Sequence, residues 1–337
     1  MKKTIICSSL LISMIFVLCV PEIASSQSLA FEGKIIFMQN KTKENYNNIF
    51  LLDGNNIRLA QLTTDGQNFW PQWSPNGKHI VFASNGRKIH KNREIYLMDS
   101  DGGHQIRLTD TGKGNSLDPR WAEDGSRIYF RSAIQGFIQE NVIDLQICRL
   151  DGITGIRATP KLVGCEDNTV KGVEKDREVK DYEKKLKVLR ELAAQKIGFF
   201  DIHSSADGKY LILYFKKTGK IELCDATGNT IKELKGNHPG RPVWTKDSRK
   251  IAYSDGYPPE QKLVIYDIEK DKYDEIKFGM GPDVGCGGEL SWSKDSKYIV
   301  YSCGTPFSEK DDSWLYILDL QTKKSVKLIQ GNSPDWN

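Results

Sequence analysis

From residue 31 onward the chain alternates short apolar runs with small polar turns. The segments "FEGKIIFMQN" (31–40), "KHIVFAS" (78–84), "SRIYFRS" (126–132), "GKYLILYF" (208–215), "RKIAYSD" (249–255) and "SKYIVYS" (296–302) are rich in Ile, Val, Tyr and Phe. Asn-Gly, Asp-Gly or Asp-Ser turns precede most of them, a pattern that predicts hairpins. A second β-rich pair follows each run, as in "REIYLMDSDGGHQIRLTD", "KIELCDATGNTIKELKG" and "WLYILDLQTKKSVKLIQ".

The hairpins repeat. "PQWSPNGKHIVFAS" (71–84) returns as "PRWAEDGSRIYFRS" (119–132), "FDIHSSADGKYLILYF" (200–215), "PVWTKDSRKIAYSD" (242–255) and "LSWSKDSKYIVYSC" (290–303). A sixth copy is split between the closing "SPDWN" (333–337) and the N-terminal "FEGKIIFMQN". The repeat positions are Trp73, Trp121, His203, Trp244, Trp292 and Trp336, at intervals of 48, 82, 41, 48 and 44 residues. Four strands recurring about every 45 residues predict an all-β, six-bladed β-propeller. The C-terminal strand would join the N-terminal blade and close the ring, leaving no open edge. An aromatic at one repeat position is expected in the core, with His203 its substitute.

The unit "LTTDGQNFWPQWSPNGKHIVFASN…REIYLMDSDGGHQIRLT" resembles the TolB-type propeller repeat. It is close over 61–110, good over 117–151, 242–269 and 289–320, and weaker over 199–230. The resemblance implies the propeller fold, an exported location and a tendency to bind partners. That family places an α/β domain ahead of the propeller, and this chain is expected to lack it.

The doubled interval contains "EKDREVKDYEKKLKVLRELAAQKIG" (174–198). Val179, Tyr182, Leu186, Leu189 and Ala193 fall on one helical stripe. Acid-first i,i+4 pairs such as Asp176–Lys180 add roughly 0.2–0.5 kcal/mol each. The expectation is an α-helical insertion within residues 164–198 of a propeller spanning 27–337.

Residues 1–26 read as a signal peptide, with Lys2 and Lys3 ahead of "TIICSSLLISMIFVLCV" and a small-residue cleavage site. Lipidation at Cys19 is less favoured because Leu18 precedes it. The location expected is periplasmic or secreted, with no membrane span after cleavage. Loss of Lys2, Lys3 and Glu22 takes the formal charge from +4 to +3, too mild to suggest nucleic acid. Cys7 and Cys19 leave with the leader. Of the five cysteines that remain, Cys286 and Cys303 flank one hairpin symmetrically, so a disulfide is expected there.

No catalytic residue emerges: G-x-S-x-G, H-E-x-x-H, C-x-x-C and P-loop signatures are all missing. His79 and His104 lie at hairpin turns, where solvated side chains are expected, while His90, His203 and His238 could share one face. That scatter assigns no metal ligands and no cofactor, although a channel-bound calcium or other divalent ion is compatible with the fold. The loops expected to make contacts are 85–93, 131–143, 164–198 and the glycine-rich connector 279–288. Candidate binding residues are Arg87, Lys88, His90, Lys91 and Arg93 in the basic loop, with Tyr182, Leu186 and Leu189 on the insertion. The function expected is a non-catalytic scaffold for a protein partner in a bacterial envelope. The alternative is a metal-dependent carbohydrate-active or other small-molecule enzyme sited at the channel.

Overall fold

The computed structural model describes residues 31–40, 46–86, 92–110, 114–121, 125, 127–134, 137–144, 201–215, 218–281, 283–305 and 312–337. The leader and the insertion lie outside these residues, and so do Arg87, Lys88, His90, Lys91, Tyr182, Leu186 and Leu189.

The described residues form six antiparallel sheets, five of four strands and one of three. Each sheet begins with a strand ending at or near a repeat position: Asn68–Trp73, Asn115–Trp121, Asp201–Ser204, Val243–Trp244, Gly285–Trp292 and, for the closing sheet, Asn332–Trp336. That last strand pairs with Lys34–Asn40 at the other end of the chain. The ring is a β-propeller closed by both termini. Below, blade 1 is this closing sheet and blades 2 to 6 follow in chain order.

Burial explains the apolar runs. In a propeller each sheet is sandwiched between two neighbours, so a middle strand is covered on both faces. His79–Ser84 and Lys250–Asp255 are buried along five of six positions. The outermost strand Lys272–Lys277 is mostly exposed, and its sequence is correspondingly charged. Core clusters bridge neighbouring blades. Ile36 and Ile49 of blade 1 pack with Trp73, Ile80 and Phe82 of blade 2, and Phe37 and Trp336 pack with Val300 and Ile317 of blade 6. Truncating one such Ile to Ala removes about 2–5 kcal/mol.

The recurring polar residues have local jobs. The Ser74 hydroxyl donates to Asn76 Oδ1 at 2.8 Å and accepts the His79 N–H at 3.0 Å, closing the first hairpin turn. Ser205 with Asp207, Thr245 with Asp247, and Ser293 with Asp295 repeat the device. Thr63 and Thr109 accept the N–H groups of Ile49 and Ile95 at 2.8 and 2.9 Å, completing the outer edges of blades 1 and 2. Trp244, Trp292 and Trp336 each donate an indole N–H to a backbone carbonyl outside their own strand, those of His203, Val243 and Glu32.

Two loops expected from the sequence are strand in large part or at one end. Residues 131–143 belong mostly to a long hairpin, Arg127–Ile134 against Phe137–Asp144, paired up to Ile134 and Phe137. Its polar content obscured the strand pattern. The connector 279–288 ends early, because Gly285 already pairs with Gly304.

Candidate functional site

The inner strands depart from regular pairing just before the repeat position. Register shifts occur between Phe69 and Gln72, Leu117 and Arg120, and Cys286 and Leu290. Three residues ahead of the repeat aromatic stand Trp70, Asp118, Arg241, Glu289 and Ser333. Trp70, Asp118 and Ser333 have φ of 50°, 52° and 49°. A bulge with a left-handed residue re-aims one side chain out of the ladder. For a residue with a Cβ the conformation costs on the order of 1 kcal/mol or more, and it gathers at functional positions.

Asp118, Arg241, Glu289 and Ser333 of this set meet at the centre of the ring, whereas Trp70 packs into the core between blades 2 and 3 beside Phe69. Asp118 of blade 3 accepts two hydrogen bonds from Arg241 of blade 5, at 3.0 and 2.9 Å. The same carboxylate pairs with Arg131 at 2.7 Å and lies 3.6 Å from Arg120. His203 of blade 4 sits 3.4 Å from the Arg241 Nε. Glu289 of blade 6 hydrogen-bonds Ser333 of blade 1 and feels the charges of Arg241 and Asp118. Interactions between non-neighbouring blades are available only across the central channel. Glu289 opens on that channel yet is ringed by protein, and burial raises its carboxyl above the ordinary range. Asp335 is raised for the same reason, against the opposing pull of the Trp73 N–H and the Ser291 hydroxyl.

Of the residues singled out in the sequence, Arg93 lines a cleft of about 400 Å3 together with Gln67, Phe69, Asn85 and Asn115. Its guanidinium lies 4.2 Å from the Phe69 ring centre and 5.9 Å from that of Trp70. His203 is at the channel, and the His238 ring lies tilted against Tyr257 with ring centres 4.5 Å apart. His79 and His104 are not simply solvated: both approach Asp99, at 3.3 and 2.6 Å. Trp73, Trp292 and Trp336 are buried, while Trp121 and Trp244 are partly covered. Cys286 and Cys303 are bonded to one another across paired strands. Among the described residues no group of three His, Cys, Asp or Glu side chains is placed to hold a metal, and no helix is long and apolar enough to cross a membrane. Sequence reasoning missed Asp118, Arg241 and Glu289. The usable signal was their common offset from the repeat aromatic.

A closed ring of antiparallel sheets with polar groups meeting at its centre defines a β-propeller with a channel site. Among solved structures it is similar to TolB from Acinetobacter baumannii, with 18% identity, coverage of 91% of this chain and 67% of the other, and a TM-score of 0.60. A candidate TolB from Agrobacterium tumefaciens gives 13% identity, coverage of 89% and 90%, and a TM-score of 0.53. The protein has the TolB-like β-propeller fold. No protein-family profile matches the chain. Among curated sequences, an uncharacterized protein of Agrobacterium fabrum is 29% identical over 133 residues, 40% of this chain and 42% of the relative. Dipeptidyl-peptidase 5 of Porphyromonas endodontalis is 35% identical over 92 residues, 24% of this chain and 13% of the enzyme. The chain thus matches less than half the length of each of these relatives.

Proposed function

We propose that the protein is an exported propeller serving as a binding scaffold for a protein partner in a bacterial envelope, with the mouth of the channel as its contact surface. One observation carries this reading. Residues that recur from blade to blade, the repeat aromatics and the turn Ser or Thr, each complete the fold. The position three residues earlier differs from blade to blade, and its Asp118, Arg241, Glu289 and Ser333 are brought together at the ring centre. A position that gathers different polar and charged groups at one place supports recognition, since packing alone would favour one residue type. The hydrophobic leader supports export.

The test places a photo-crosslinking residue at Ser333, at the channel, or at Lys272, on the outermost strand of blade 5. Expression is in the native envelope, and the mature N-terminus is read by mass spectrometry. One protein crosslinked from Ser333 and not from Lys272 is the expected result. Equal labelling from both positions, or an N-terminus still carrying the leader, would sink the proposal. The enzyme reading keeps one specific support, the burial-raised Glu289 beside Arg241. A turnover assay on small carbohydrates with Glu289→Gln as control would decide it.

A further inference from the structure

The Arg93 cleft has an unusual lining. The Asn85 Oδ1 accepts the Gln67 N–H at 2.8 Å, and the Asn115 Oδ1 accepts the Arg93 N–H at 2.9 Å. A backbone N–H can only donate, so each carboxamide is fixed with its oxygen on the backbone and its NH2 turned away from it. Among the described residues neither NH2 finds an acceptor, and no carboxylate pairs with the Arg93 guanidinium. Phe69 backs that guanidinium on one face, so its edge N–H groups are left for a ligand. It is about half-buried, and the loss of water lowers its pKa while leaving it charged.

We infer that this cleft binds a carboxylate. Its lining holds a guanidinium fork and two carboxamides whose oxygens are engaged, leaving their NH2 groups as donors. Such a set suits the two oxygens of a carboxylate, and the Gln67 oxygen in the lining is already used by the Asn47 N–H. The cleft is large enough for a short side chain. On the reading of the protein as a scaffold, the ligand is an acidic side chain of the partner peptide.

The chain supplies its own internal control. Asp255 in blade 5 follows a Ser and precedes a Gly, as Asn85 does, and accepts the N–H groups of Asn237 and His238 at 2.8 and 2.9 Å. Aspartate therefore fits this backbone position. Asn85→Asp keeps the acceptor for Gln67 and exchanges the cleft-facing donor for a negatively charged oxygen.

The test titrates the full mature protein calorimetrically with a blocked short peptide carrying one Glu, its Gln counterpart, free glutarate and inorganic phosphate. The Glu peptide should bind about tenfold or more tightly than the Gln peptide. Asn85→Asp and Arg93→Gln should each lose that preference with unchanged melting temperature. Equal binding of the two peptides, equal binding by the variants, or phosphate binding as well as the Glu peptide would overturn the assignment. Glutarate binding that depends on Arg93, with no response to the Glu peptide, would support the carboxylate site and remove the peptide as its source. Loss of peptide binding in the variants while Ser333 still crosslinks its partner would separate this site from the channel surface.

Discussion

Asp118 and Arg241, 123 residues apart in sequence, are joined by two hydrogen bonds of 3.0 and 2.9 Å across the channel. Asp118 also accepts a hydrogen bond from Arg131 and forms a longer ion pair with Arg120 at 3.6 Å. The two halves of the pair should therefore respond unequally to mutation. Asp118→Ala withdraws the carboxylate from two hydrogen-bonded guanidiniums and a third nearby one at once and should cost about 3–5 kcal/mol, as for a broken buried pair. Arg241→Ala leaves Asp118 with Arg131 and should cost about 1–3 kcal/mol. Urea unfolding of both variants checks the order; equal losses would mean that Arg131 and Arg120 draw little from Asp118.

Asp335 on the closing strand accepts the Trp73 N–H at 2.7 Å and the Ser291 hydroxyl at 2.9 Å, so one carboxyl ties blades 1, 2 and 6. Asp335→Ala should cost about 1–3 kcal/mol because the Trp73 N–H loses its acceptor. Its pH dependence has a definite sign. Burial raises the folded-state pKa, so between the unfolded value of about 3.9 and the raised value the folded protein holds the extra proton. Stability contributed by this group is fully present below that window and declines as pH rises through it. Asp335→Asn should lack this decline. Unfolding free energies from pH 4 to 8 that run parallel in the two proteins would remove Asp335 from the titration.

The blade architecture was legible because each of its devices is local. Ser74 and Asn76 lie two residues apart, and the repeat Trp stands at the end of the strand before them. The channel site was not legible in the same way. Asp118, Arg241 and Glu289 are brought together by ring closure and by strand bulges, neither of which leaves a local hydrophobic period. Arg93 was singled out for its basic loop, yet its surroundings depend on Phe69 and Asn115, which lie 24 residues before it and 22 after it. The pairing of Cys286 with Cys303 could be anticipated because one hairpin sets both positions.

Asp225 gives a titration of the opposite sign. The side chains of Thr227 and Asn229, then their backbone N–H groups, hold its carboxylate in a turn and lower its pKa to about 2. A depressed folded-state pKa contributes stability above the unfolded value of about 3.9, and that contribution is lost as pH falls through about 2. The stability gap between the native protein and Asp225→Ala should be constant above about pH 4 and shrink from there toward pH 2. A gap independent of pH would mean that the loss reflects the turn's neutral hydrogen bonds alone.

The Cys286–Cys303 bond closes a loop with a sequence separation of 17 across strands already in register. In the chain-entropy account a loop of that size restricts the unfolded chain by about 3 kcal/mol. Both sulfurs belong to a buried cluster with Leu290, Trp292 and Tyr301, so removing them also takes away packing. The double variant Cys286→Ala/Cys303→Ala should therefore lose at least about 3 kcal/mol. Reduction of the native protein keeps both sulfur atoms in the core and should cost less than the double substitution. Dithiothreitol should lower the melting temperature of the native protein by more than that of the double variant, in which this bond is already gone. A native melting temperature indifferent to reductant, with reduction verified by thiol counting, would show that the paired strands restrain this hairpin without the bond.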